Sequence, residues 1–270
     1  MPKRELFALV AVPAVVAAIL WLPGWVVPGI VAGAVLVAGD EMLTMSRRAG
    51  ARSGRWLPLF LLAALLASSW WFGAVGLVVA AALVVLVMPL AHLARGDGPA
   101  GSLAGVAVAT FVVLFLGITG ACLGWLRLLP SDGQAIPFFL FYLATIWIGD
   151  SGAYYVGSHL GRRAMAPRIS PNKTWEGLTG GVLATLAAAA ALKPAFEIAL
   201  PWPHLAAVAV IVAVATPLGD LVESQFKRDT GVKDSSSLLP GHGGVLDRTD
   251  SLLYTAPPVL GYLLAAGVMP

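Results

Sequence analysis

Charge is what this 270-residue chain has least of: Asp, Glu, Lys and Arg make up 11% of it against 59% hydrophobic residues, and the mean hydropathy is +0.86. A water-soluble globular enzyme needs no such excess to fill its core, so that class is excluded. Cysteine is nearly absent. Cys122 stands alone, which excludes an intrachain disulfide framework or a cysteine metal cluster and leaves it as a small packing residue. The P-loop frame G-x-x-x-x-G-K-[ST] is missing, so a nucleotide, if bound, sits on another scaffold. No basic stripe interleaved with aromatics offers itself to nucleic acid, and the net charge of +3 has a simpler use in orienting helices.

What the chain does have is long uncharged runs. Residues 6–39, 56–94, 98–126, 133–149, 177–192, 198–219 and 251–270 contain no Asp, Glu, Lys or Arg. A helix crosses a ~30 Å hydrocarbon core with roughly 20 apolar residues, so each run covers one or two crossings. The expected fold class is all-α, a polytopic helical membrane protein. The first run exceeds the ~7–15-residue apolar region of a removable signal peptide and is read as retained. Pro, Gly and Ser punctuation divides the runs into nine expected spans: 6–22, 25–39, 57–71, 74–93, 103–123, 134–149, 177–193, 202–219 and 251–268. The first two are either separate crossings or a re-entrant hairpin, and Ser68 to Gly73, with Trp70 and Trp71, reads as an interfacial turn. With the N-terminus in the cytoplasm, 15 of the 17 basic residues fall on the cytoplasmic side and only Arg127 and Lys193 outside it. The basic residues at 47–55 read as contacts to anionic headgroups.

Polar residues concentrate in two cytoplasmic segments, 150–176 and 219–250, which hold 8 of the 14 acids and 8 of the 17 basic residues. The chain is therefore read as an N-terminal set of helices, 1–133, and a C-terminal set, 134–270, that carries the site. If the eighth span continues as a helix through GDLVESQFKR, then Asp220, Glu223, Ser224 and Lys227 share one face. Asp247 and Asp250, three apart, project together at the start of the ninth span, where Asp250 is also placed as a helix cap. Several carboxylates brought together call for a cation, and an oxygen-only set favours Mg²⁺; a second cation such as K⁺ is left open. Between these helix ends, KDSSSLLPGHGG offers Gly243 and Gly244 for close backbone approach to phosphate, with His242 as a hydrogen-bond donor. Lys227, Arg228, Lys233 and Arg248 supply positive charge to a polyphosphate. In the first segment Asp150 ends the sixth span, and Ser170, Lys173 and Thr174 precede another helix, a position that suits an anion. Cations for phosphate beside carboxylates for a metal suggest phosphoryl or nucleotidyl transfer.

These residues form a recognisable pattern. Ser224-Gln225-Phe226-Lys227-Arg228, then Lys233-Asp234, then His242 through Asp250 resembles the signature of phosphatidate cytidylyltransferases, also called CDP-diacylglycerol synthases. GDSGAYYVG at 149–157 and ISPNKTWEG at 169–177 resemble two further family segments in the same order, although Asn172 stands where the family commonly has Lys. The resemblance covers roughly residues 140–260. It implies transfer of the cytidylyl group of CTP to phosphatidic acid, with release of pyrophosphate, at the cytoplasmic face of a bacterial inner (plasma) membrane. It further implies Mg²⁺ held by Asp220 and Asp247 with Asp250 beside them, Asp234 near the substrates, and a homodimer. The alternatives are a CTP-dependent lipid-alcohol kinase, which would release CDP rather than pyrophosphate, and a transporter; against the transporter stands the gathering of ionisable residues at cytoplasmic ends.

Overall fold

The computed structural model describes residues 3–96, 98–130, 133–239, 241 and 243–269, with side chains from residue 12 onward. Eight helices account for most of it: α1 (Lys3–Trp21), α2 (Val26–Arg48), α3 (Trp56–Arg95), α4 (Ser102–Leu128), α5 (Ala135–Leu160), α6 (Trp175–Ala195), α7 (Trp202–Asp229) and α8 (Leu246–Ala265). Six of them, α2 to α7, are long and apolar enough to cross a membrane. The all-α expectation needs one correction: between α5 and α6 lies a two-stranded antiparallel hairpin, β1 (Ala164–Ala166) and β2 (Ser170–Thr174).

A straight helix of the 40 residues of α3 would rise ~60 Å, about twice the hydrocarbon thickness. Gly73 prevents this. Its φ of 61° and ψ of −146° lie where only glycine is at ease, and they fold the chain back on itself. The Ser68 hydroxyl donates to the carbonyl of Gly76 at 3.1 Å, whereas residues eight apart in an unbroken helix lie ~12 Å from one another. The turn expected at 68–73 is thus present, and the expected spans 57–71 and 74–93 are the two arms of α3.

Two expected boundaries fall short. The span placed at 25–39 continues as α2 to Arg48, past two acids that find partners: Asp40 accepts two hydrogen bonds from Arg55 at 2.7 and 2.8 Å at the surface, and Glu41 is buried. Likewise α5 runs ten residues past Asp150 to Leu160, so Asp150 sits within a helix rather than at its end.

Glycine draws α5 against α6. A Cβ at Gly149, Gly152 or Gly180 would strike Thr185, Ala184 or Val156, so the helices meet at backbone distance. The hairpin between them is tied at both ends. Thr174 caps α6 by accepting the Gly177 N–H at 3.1 Å, and the Glu176 carboxylate accepts the N–H groups of Arg162 and Arg163 at 3.0 and 3.2 Å. The core is continuous across the chain: Val35, Leu43, Leu116, Leu126, Phe138, Leu253 and Val259 belong to one buried cluster, and α8 packs on both α2 and α4. Cys122 is buried within it as a free thiol.

Candidate functional site

A cavity of about 980 Å³ opens where the ends of α5, α7 and α8 meet the hairpin and the start of α6. Nine of the sequence-selected residues line it: Asp150 from α5, Lys173 and Thr174 from β2, Asp220 and Lys227 from α7, Asp234 from the following loop, and Asp247, Arg248 and Asp250 from α8. As the spacing requires, α7 is helical through Asp229, so Asp220, Glu223 and Lys227 face the cavity together and Ser224 lies beside them, its hydroxyl 3.5 Å from Asp220.

The charges within the cavity are ordered in two groups. Carboxylate oxygens of Asp220, Glu223 and Asp250 come within 4.8 Å of one another, close enough to share one cation. Glu223 was legible as part of the polar face but not as a member of this trio; its Oε1 is buried and has no hydrogen-bond partner among the described residues. Asp247, which the resemblance implies as a metal ligand, makes a different set of contacts. Its Oδ1 accepts from Lys227 Nζ at 2.6 Å, and its Oδ2 accepts from the N–H groups of Gly244 and Ser235 at 2.7 and 2.9 Å and from the Ser235 hydroxyl at 2.9 Å. Lys227 also reaches Glu223 at 2.6 Å and so joins the two groups. Lys173 forms an ion pair with Asp220 at 2.5 Å across the cavity.

The environment sets the protonation of the α8 carboxyls in opposite senses. Burial works against the charge on Asp247, yet contacts with Glu223, Lys227, Gly244 and Ser235 outweigh it and hold the carboxyl down at about 2. Burial, reinforced by the carboxylates of Asp220 and Asp150, pushes Asp250 up to about 7.

Other selected residues play supporting parts. Arg228 turns from the cavity, donating to the carbonyls of Ile169 at 3.2 Å and Val232 at 2.9 Å, and thereby ties α7 to the hairpin and to the next loop. Lys233 is exposed on that loop, and Ser170 opens β2 outside the cavity lining. The expectation that Gly243 and Gly244 cradle phosphate meets a competitor, since the Gly244 N–H is engaged by Asp247. Gly243 takes a φ of +77° and pairs with Leu239, and a Cβ there would strike Asp247. His242 lies outside the described residues. Asp250 is not a helix cap, because α8 begins four residues earlier, at Leu246; it accepts the Ser251 N–H at 2.7 Å instead.

The sequence pattern of the cytidylyltransferase family matches residues 2–266. The chain belongs to the cytidylyltransferase family. Among its relatives, a phosphatidate cytidylyltransferase of Bacillus subtilis is 40% identical over 156 residues, 57% of this chain and 58% of the relative. One of Haemophilus influenzae is 45% identical over 132 residues, 47% of this chain and 45% of the relative. One of Staphylococcus saprophyticus is 37% identical over 149 residues, 55% of this chain and 56% of the relative. The chain thus aligns with about half the length of the curated relatives it matches. Membership of the cytidylyltransferase family gives the cavity a chemical frame: cations and acids interleaved at one end of a bundle of apolar helices.

Proposed function

We propose that this chain is a phosphatidate cytidylyltransferase that transfers the cytidylyl group of CTP to phosphatidic acid, giving CDP-diacylglycerol and pyrophosphate. The observation that carries the reading is the cavity itself, in which Lys173, Lys227 and Arg248 stand among Asp150, Asp220, Glu223, Asp247 and Asp250. Both substrates are polyanionic phosphates, and one is confined to a bilayer, so the reaction needs cations, carboxylates for a metal, and a site at the end of membrane helices.

Asp220, Glu223 and Asp250 fit Mg²⁺, offering hard oxygen donors within 4.8 Å of one another and one buried oxygen without a partner. The resemblance also makes Asp247 a candidate ligand, and a second cation such as K⁺ would find donors in the same group. Bound there, Mg²⁺ would offset the negative charge of the triphosphate. The chain's own residues orient the reactants. Lys173 and Arg248 flank the cavity and attract phosphate oxygens, and Lys227 fixes Asp247 and Glu223 in place. An oxygen of phosphatidic acid, already ionised near neutral pH, forms the new bond to the α-phosphorus as the bond to the β-phosphate breaks. Pyrophosphate leaves with the electron pair, and no general base is required.

The same reading gives nine crossings, counting the two arms of α3 separately and adding α1 and α8, with the N-terminus and the cavity in the cytoplasm of a bacterial inner membrane. In that arrangement the crossing part of α8 begins after Asp250. A homodimer completes the proposal. The deciding experiment incubates the detergent-purified chain with phosphatidic acid, Mg²⁺ and CTP labelled at the α and γ phosphates. The α label is expected in lipid and the γ label in pyrophosphate. A γ label in a lipid alcohol would identify a kinase instead, and no label in any lipid would overturn enzymatic transfer.

A further inference from the structure

We propose that Glu41, on α2 and about 200 residues away in sequence, is a positioning residue for this site, acting through Ser235 on Asp247; the proposal rests on the functional reading above. Glu41 is 6% exposed, and among the described residues it forms no ion pair. Its charge is instead met entirely by neutral donors. Oε1 accepts from the Ser236 hydroxyl at 2.7 Å and the Val245 N–H at 3.0 Å. Oε2 accepts from the Leu246 N–H at 2.8 Å and the Ser235 hydroxyl at 2.9 Å. A carboxylate has about four lone-pair positions, and here four donor groups face them.

The donors are not scattered. Two are backbone groups at the start of α8, where orphan N–H groups and the helix dipole favour a negative charge, so Glu41 caps the helix that carries Asp247 and Asp250. The other two come from the loop that returns from α7. The Ser235 oxygen lies 2.9 Å from Glu41 Oε2 and 2.9 Å from Asp247 Oδ2, so its single proton is shared between two carboxylates. The same Asp247 carboxylate receives Lys227. A continuous chain of contacts therefore runs from α2 through Ser235 and Asp247 to Lys227 and Glu223. Gly244 shows how tightly it is assembled, since a Cβ there would collide with both Glu41 and Ser235. An ordinary capping residue would be an exposed Ser, Thr, Asp or Asn just before the helix. A buried glutamate from another helix costs far more to place, and its return is the fixed position of Asp247 against the cavity.

The test compares wild type, Glu41→Gln, Ser235→Ala and the double variant, as the full chain in detergent. Initial rates of CDP-lipid formation are taken per mole of monodisperse protein. Each single variant is expected to lower kcat/KM by about tenfold and to raise KM for CTP at least ~3-fold, as loss of an outer partner of a site does. Because both act through one contact, the double variant should be no worse than about the weaker single variant. A multiplicative loss of ~100-fold would break the link through Ser235 while leaving the functional reading intact. So would a fall in kcat at unchanged KM that merely tracks the amount of folded protein. If Glu41→Gln does not fold, Ser235→Ala decides alone, and wild-type kinetics for it overturn the proposal. A wild-type chain that makes no CDP-lipid overturns the functional reading first and this one with it.

Discussion

Lys227 Nζ donates to Asp247 Oδ1 at 2.6 Å, across the gap between α7 and α8, with both side chains nearly enclosed by protein. The same ammonium lies 2.6 Å from Glu223, so one cation bridges two buried carboxyl groups. Lys227→Met removes that bridge. Breaking a buried pair from one side costs about 3–5 kcal/mol, and the unfolding temperature in detergent should fall accordingly. Turnover should drop by more than ~100-fold in the dual-label assay, because charge stabilisation at the site is lost. An unfolding temperature equal to wild type would show that water reaches the pair.

The trio of Asp220, Glu223 and Asp250 predicts a strict metal requirement. EDTA should stop CDP-lipid formation, and added Mg²⁺ should restore it. Glu223→Gln should raise the Mg²⁺ concentration for half-activity by about tenfold or more, since a ligand is removed while the packing volume is kept. Unchanged Mg²⁺ dependence in that variant would place the metal elsewhere.

Asp250 carries a cost that depends on pH. Its folded-state carboxyl is held up at about 7 by burial and by Asp220 and Asp150, so ionisation is disfavoured in the folded chain relative to the unfolded one. Stability is therefore fully retained below the ordinary carboxyl range and declines as pH rises toward 7. In EDTA, Asp250→Asn should unfold at a higher temperature than wild type at pH 8, with the difference closing toward pH 4, while losing activity. A variant less stable than wild type at pH 8 would contradict this assignment.

The contact of α5 with α6 tolerates no side chain at Gly152, where a Cβ would meet Ala184. Gly152→Val should cost about 1–3 kcal/mol through overpacking and should lower activity by displacing Asp150, two residues away on the same helix. Thermal unfolding and the rate of CDP-lipid formation measure the two effects. A fully active, wild-type-stable variant would mean that the helices are further apart.

Hydropathy and charge made the helical membrane class legible, and glycine punctuation located the reversal at Gly73. Boundaries failed where Asp40 and Asp150 were taken as the ends of spans: both lie inside helices, and Asp40 and the neighbouring Glu41 find their partners on later segments. The periodicity of α7 foretold the shared face of Asp220, Glu223 and Lys227, since a single helix encodes that geometry locally. Glu41 had no local signal. It is an isolated acid beside Asp40 at the edge of an apolar run, and its function is written in contacts that only the folded chain brings together. The hairpin was likewise hidden, because strands of three and five residues are too short to show alternation.

The segment joining α5 to α6 is held by strand pairing, by the Thr174 cap and by the grip of Glu176 on Arg162 and Arg163. Lys173 is therefore delivered to the cavity by a braced element, and the entropy of fixing it is lost when the chain folds rather than when a ligand binds. Contacts made there count almost wholly toward affinity. On the proposed reading, a triphosphate would meet a wall already standing at this side of the cavity.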